Sequence, residues 1–245
     1  MRFYWRALAI AAGLVICFPL HYLSKRLFGR SPWARLFLAY AARRCGLRVR
    51  IEGTPLPGRV LFAANHVSWL DILAIGGAAR TAFVAKDEVE HWPMIGWIAD
   101  LNDTIYVARA ARREARDQAD RLRAALDAGR AIAFFPEGTT EGGRDVLPFR
   151  ASLFASLFPP IAGVAVQPVA LDYGEITSAI AWVGEESTGA NARRVMNDYR
   201  RIPLTIRFLD PIDPGAAGDR KALAIEAHDA IVAALGASAS PSDPL

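Results

Sequence analysis

From Leu47 onward, short apolar runs of strand length alternate with stretches at helical spacing, and this alternation narrows the fold to an α/β layer architecture. The strand-like runs are Leu47 to Ile51, Val60 to Ala64, Ala82 to Ala85, Thr104 to Ala108, Ala131 to Phe135, Val164 to Leu171 and Leu204 to Leu209. Between them, "ARREARDQADRLRAALDAGR" puts Ala115, Ala119, Leu122 and Leu126 on one helix face, with Gly129 where a helix would stop. Its many charges read as a solvated face. A last helix is predicted over Arg220 to Leu235, followed by a disordered tail over residues 236–245. A chain of 245 residues is read most economically as one domain, here residues 47–235, with appendages at its ends.

The first of those appendages, residues 1–46, reads as a pair of membrane-associating helices. Ala7 to Leu20 is uncharged and apolar, bracketed by Arg2 and Arg6 before it and by Lys25, Arg26 and Arg30 after it. With its aromatic flanks it just reaches the ~17 residues that a spanning helix needs. No small-x-small pattern follows, which speaks against a cleaved secretory signal. Basic residues on both sides suit a helix that either dips into one leaflet or spans marginally. The next stretch, "SPWARLFLAYAARRCGL", recurs at helical spacing through Trp33, Leu36, Phe37 and Tyr40, as an interfacial helix or a helix packed on the domain would.

The formal net charge of +4 fits work beside anionic partners but does not choose among them. Cys17 and Cys45 have no CxxC spacing, and the four histidines, His21, His66, His91 and His228, are scattered, so no metal site is expected.

"LFAANHVSWLDILAIG" places Asn65, His66, Ser68 and Asp71 in the connection between a buried strand and a helix, where α/β folds carry their chemistry. Positions five apart on a regular helix are turned by ~140°, so His66 and Asp71 can meet only if His66 sits on the turn before the helix. Ser68 followed three residues later by Asp71 also resembles a capping box. Helix start and catalytic pair are both open readings of these residues. A second signal, "AIAFFPEGTTEGG", runs a strand into Glu137, Gly138 and Thr139, a turn or a loop whose N–H groups can face an anion. It is not a P-loop, since the lysine and glycine spacing are absent.

Together, "NHVSWLD" and, roughly seventy residues on, "FPEGT" resemble the glycerolipid acyltransferase family, which includes the lysophosphatidic acid acyltransferases. "FVAKDEVEHWPMIGWIADLNDTIYVAR" and "VAVQPVAL" resemble two further blocks of that family. The resemblance implies a glycerol-3-phosphate acyltransferase-like fold, a mixed, largely parallel sheet flanked by helices. It also implies a dyad in which His66 takes the proton of an acceptor hydroxyl attacking an acyl thioester, with Asp71 orienting the imidazole. Acceptor binding would fall to Asn65, Ser68, Lys86, Arg109, Glu137, Gly138 and Thr139. The expected co-substrate is acyl-CoA or an acyl carrier protein thioester, with no cofactor and no metal. The expected partners are a lysophospholipid, first 1-acyl-sn-glycerol-3-phosphate, and a membrane surface, with no nucleic acid. Localisation at the cytoplasmic face of an inner membrane follows from the family.

One departure matters. The family usually has arginine after FPEGT, and this chain has Thr140 and then Glu141, replacing a bidentate phosphate ligand by a hydroxyl and a negative charge. Arg144 and Arg150 are the candidates to reach back. The departure keeps lyso-ornithine lipid, whose head group carries no phosphate, as a second acceptor. No GxSxG is present for a serine hydrolase, and a non-catalytic membrane-binding protein is the remaining alternative.

Overall fold

The computed structural model describes residues 1–86, 104–107, 112–140, 142–143, 145–184 and 186–239. Helices α1 (Arg2–Phe28) and α2 (Trp33–Cys45) precede β1 (Leu47–Glu52), β2 (Val60–Ala64), α3 (Leu70–Ala78), β3 (Ala82–Lys86), β4 (Ile105–Val107) and α4 (Arg112–Asp127). Then follow β5 (Ala131–Phe134), a 3-10 turn (Ala151–Leu157), β6 (Ala165–Asp172), α5 (Thr177–Ile180), α6 (Thr188–Asp198), β7 (Ile202–Phe208), α7 (Pro214–Ala217) and α8 (Arg220–Ala239). Each of the seven runs read from the sequence carries a strand.

The strands form one sheet in the order β1-β7-β6-β2-β5-β3-β4. Only the β6–β7 pair is antiparallel, so the expected mixed, largely parallel sheet is what forms. Burial explains the strand sequences. β2 sits at the centre with both faces covered, and all five of its residues are buried and apolar. Edge strand β1 instead exposes Arg48 and Arg50, charges that discourage a further strand from adding there. Alternate residues of β2 feed two cores. Phe62 and Ala64 join Leu38 of α2 and Ile75 of α3 on one face, while Leu61 and Ala63 join Leu126 of α4 and Leu223 of α8 on the other. Helices α2 and α3 approach so closely that a Cβ at Gly77 would lie 2.8 Å from the Ala39 backbone.

The last helix continues past the predicted end at Leu235 to Ala239, so 236–239 are helical where a tail was expected. Gly236 does not adopt the left-handed conformation that would stop the helix, and the small residues after it tolerate another turn. Residues 240–245 lie outside the described residues.

Helix α1 is fastened near its start to α2 and α6 and near its end to α2. Arg6 donates to the carbonyls of Cys45, Met196 and Tyr199, the exposed C-terminal acceptors of α2 and α6. Near the other end Ser24 accepts from the Trp33 indole N–H at 2.9 Å.

The segment between β6 and β7 is tied behind the site by a polar chain. Trp69, beside the start of α3, donates its indole N–H to Asn191 at 2.9 Å, and Asn191 donates to Glu186 at 2.7 Å. Arg194 grips the same carboxylate with two nitrogens, at 3.0 and 2.9 Å. The Arg194 hydrogen bonds hold the Glu186 carboxyl down at about 2, against an ordinary 4.5. A carboxyl depressed on folding contributes stability that is fully present above the ordinary value and is lost as pH falls through the depressed one. Glu186→Gln should therefore lower the thermal midpoint most above pH about 4.5, with the gap from the parent closing as pH falls towards 2. A gap of constant size across that range would show that the ion pair contributes nothing as an ion pair.

Candidate active site

The site lies at the C-terminal end of the central strand. After Ala64 the chain turns, and His66 sits on that turn, two elements of geometry that let it meet a residue in the first turn of α3. His66 Nδ1 lies 2.9 Å from Asp71 Oδ2. Asp71 is fully buried, and its ionised carboxylate can only accept, so the imidazole hydrogen belongs on Nδ1 and the lone pair on Nε2. The His66 side chain is 16% exposed. Its ring stacks on Phe135, with centroids 3.9 Å apart and planes 14° from parallel.

Asp71 also explains why the sequence looked like a helix cap. The same Oδ2 accepts the backbone N–H groups of Val67 at 2.7 Å and Ser68 at 2.9 Å. Both belong to the turn ahead of α3, whose first residue is Leu70. One carboxylate thus holds both the turn that leads into the helix and the histidine on it. Oδ1 accepts the hydroxyl of Tyr173 at 2.5 Å. Four donors around one buried carboxylate replace the water it has lost, which is the condition for burying a charge.

Tyr173 was not singled out in the sequence. It follows β6, which pairs with β2 in parallel, so its hydroxyl arrives at the same sheet end as His66. Burial, followed by the charge of Asp71 and the hydrogen bond to it, pushes the Tyr173 phenol well above its ordinary range, and it remains a donor. A tyrosine one residue past a strand that ends beside the motif strand was the available signal.

The FPEGT loop holds the histidine from below. Both carboxylate oxygens of Glu137 are engaged by backbone: Oε1 accepts from His66 N–H at 2.7 Å and Oε2 from Leu147 N–H at 2.9 Å. Burial raises the Glu137 carboxyl above its ordinary range, and those two N–H groups offset part of the rise. Through these two bonds Glu137, expected to bind the acceptor, also supports the His66 turn. Asn65 is likewise occupied. Its amide donates to Leu171 O at 3.1 Å and accepts from Leu171 N–H at 2.7 Å, continuing the β2–β6 ladder with a side chain. Ser68 is fully buried within the turn, its backbone oxygen accepting from Asp71 N–H at 3.0 Å.

Thr139 is exposed, and Gly138 adopts a φ of +75° that favours glycine. Against Gly138 lies the Arg150 guanidinium, 2.9 Å from where a Cβ would stand. Arg150 therefore does reach back to this loop. Thr140 turns its hydroxyl away to the Trp182 carbonyl at 2.6 Å. Lys86 closes β3, with its side chain outside what is described; Arg109, Glu141 and Arg144 lie outside the described residues. No cluster of His, Cys, Asp and Glu with the makings of a metal site occurs among the described residues.

A buried acceptor left without its donor costs about 1–3 kcal/mol, so Tyr173→Phe should destabilise the protein by that amount in denaturant titrations. Unchanged stability would mean that Asp71 does not depend on this hydroxyl.

Comparison with known proteins identifies the family. The acyltransferase family model matches residues 48–172, which contain His66, Asp71 and Glu137. The chain is 32% identical over 94% of its length, and 87% of the relative's, to a lyso-ornithine lipid O-acyltransferase of Rhodobacter capsulatus. It is 36% identical to one of Pseudomonas aeruginosa, over 85% of this chain and 81% of the relative. A 1-acyl-sn-glycerol-3-phosphate acyltransferase of Neisseria gonorrhoeae is 32% identical, over 79% of this chain and 76% of the relative. The crystal structure of the 1-acyl-sn-glycerophosphate acyltransferase of Thermotoga maritima shares the fold, with a TM-score of 0.69 over 99% of this chain and 100% of that one at 21% identity. A strand-end histidine backed by a buried carboxylate, on this sheet and with these relatives, places the chain in the acyltransferase family.

Proposed function

We propose that the chain transfers an acyl group from an acyl thioester, carried by coenzyme A or acyl carrier protein, to the free hydroxyl of a lysolipid. The observation that carries this reading is the His66–Asp71 contact of 2.9 Å with the ring clamped on Phe135. Nε2 of His66 takes the hydroxyl proton as the oxygen attacks the thioester carbon. Asp71 holds the tautomer and stabilises the imidazolium that results. Collapse of the tetrahedral intermediate breaks the carbon–sulfur bond, and the departing thiolate recovers the proton from His66. No acyl-enzyme is required, because the thioester arrives activated. A positioned general base contributes ~10² to 10⁴ in rate, and alignment of the two substrates supplies much of the remainder.

Two acceptors are supported by different features. Lyso-ornithine lipid is favoured by Thr140, which directs its hydroxyl into Trp182 at the position where an arginine would have bound phosphate, and by the relatives named for that activity. 1-Acyl-sn-glycerol-3-phosphate is favoured by Arg150, whose guanidinium lies on Gly138 and can serve an anionic head group.

The membrane supplies the acceptor. Helix α1 has a mean hydropathy of 1.9 over its most apolar 18 residues, only 11% of that window is buried, and its exposed side carries Trp5, Leu8, Val15 and Ile16. Because Arg6 holds one end to α6 and Ser24 the other to α2, α1 lies along one leaflet with this side in the lipid. The domain then rests on the cytoplasmic face of the inner membrane, where acyl thioesters are found.

The test is acyl transfer from a labelled thioester by the purified protein, with both lysolipids offered in parallel. The parent should acylate at least one acceptor, and His66→Ala should lose at least ~10²-fold in kcat with the fold intact. A His66→Ala protein with near-parental turnover would refute the dyad.

A further inference from the structure

The two oxygens of Asp71 are used unequally. Oδ2 accepts three donors, the His66 imidazole and the N–H groups of Val67 and Ser68. Oδ1 has one donor among the described residues, the Tyr173 hydroxyl at 2.5 Å. The chain around Tyr173 fixes where that hydroxyl arrives. Leu171 exchanges two hydrogen bonds with the Asn65 side chain, at 3.1 and 2.7 Å. The Asp172 carboxylate accepts from Arg207 at 3.0 Å and from Gly174 N–H at 2.8 Å, and Gly174 then turns the chain with a φ of +63°. Asn65 directly precedes His66, so one residue ties the start of the histidine turn to the strand that delivers Tyr173.

A buried phenol needs an acceptor, and most side-chain hydrogen bonds go to backbone or water. Here the hydroxyl is set instead on the charged partner of the histidine, on the oxygen that the imidazole leaves free. A hydrogen bond to an ionised acceptor is short and strong, and it draws on the charge of the whole carboxylate. It therefore holds the carboxylate plane, keeping Oδ2 on Nδ1, and competes with the imidazole for the same charge. Burial and the Asp71 charge keep the phenol neutral, as a donor. We propose that Tyr173 is a positioning residue for acyl transfer, acting through Asp71 on the Nδ1 proton of His66. When Nε2 takes the proton of the attacking hydroxyl, the moderated carboxylate leaves the Nδ1 proton on the ring. Glu137, the other titratable group that bonds to His66 among the described residues, meets its main chain and not the ring. Tyr173 itself is buried and touches neither substrate. The inference rests on the acyl-transfer reading proposed above and adds a residue to it.

The loss of stability expected of Tyr173→Phe follows from any buried hydroxyl bond and does not decide the matter. The experiment compares the purified full chain with Tyr173→Phe, which removes the donor, and with the full chain carrying 3-fluorotyrosine in place of Tyr173, which keeps the hydroxyl and strengthens it as a donor. Two quantities are read: the resonance of the His66 Nδ1 proton, and kcat and KM for both substrates. The resonance should move further downfield in Tyr173→Phe and upfield in the fluorinated protein. In Tyr173→Phe kcat should fall about tenfold while KM for each substrate stays within about twofold. A resonance that stays in place, or that moves the same way in both proteins, would overturn the inference alone, and so would a folded Tyr173→Phe with parental kcat. If Tyr173→Phe does not fold, the fluorinated protein decides, an upfield move supporting the inference and an unmoved resonance overturning it. Near-parental turnover in His66→Ala would overturn the acyl-transfer reading and the inference with it.

Discussion

The organisation of the site depends on one buried carboxylate. Asp71 has no exposed surface, and the cost of keeping its charge there is met by two turn N–H groups, the His66 imidazole and the Tyr173 hydroxyl. Each donor belongs to a different part of the structure. The N–H groups belong to the turn before α3, the imidazole to His66, and the hydroxyl brings in β6. Satisfying the charge therefore builds the helix start, orients the ring and locks the two central strands in register. A carboxylate lost from this position would leave the turn, the tautomer and the β6 contact without their common partner.

The second motif is a support for the first. Phe135 stacks on the imidazole and Glu137 accepts the backbone N–H of the same residue, so the FPEGT loop grips His66 through its ring and its main chain. This arrangement follows from topology. β5 lies beside β2 in parallel, and the residues beyond the two strands converge at one sheet end. Gly138 and Thr139, with Arg150 laid across Gly138, stand on this fastened base.

The strands were legible because a sheet buried on both faces needs runs such as Val60 to Ala64 with no polar interruption. The His66–Asp71 contact was legible because the two residues are close in sequence and a turn can join them. The hydrogen bonds of Glu137 were not legible, since its partner N–H groups lie 71 and 10 residues away and a backbone donor leaves no mark in the sequence. Tyr173 was missed for the same reason, at a separation of 102 residues from Asp71. Of the two readings of Ser68 and Asp71, α3 has no side-chain cap bond, and Asp71 instead ties the preceding turn to the His66 ring. At the C-terminus, Gly236 misleads, because a glycine ends a helix only when its backbone takes the left-handed conformation.

The central claim is that Asp71 fixes the His66 ring with its hydrogen on Nδ1, leaving Nε2 to accept a proton. The most direct measurement is the nitrogen NMR spectrum of the His66 imidazole in the purified protein, assigned by its loss in His66→Ala. The account predicts the Nδ1–H tautomer for the neutral ring, with that proton shifted far downfield by the buried carboxylate and the signature lost in Asp71→Asn. A neutral ring carrying its hydrogen on Nε2, or one unaffected by Asp71→Asn, would contradict it.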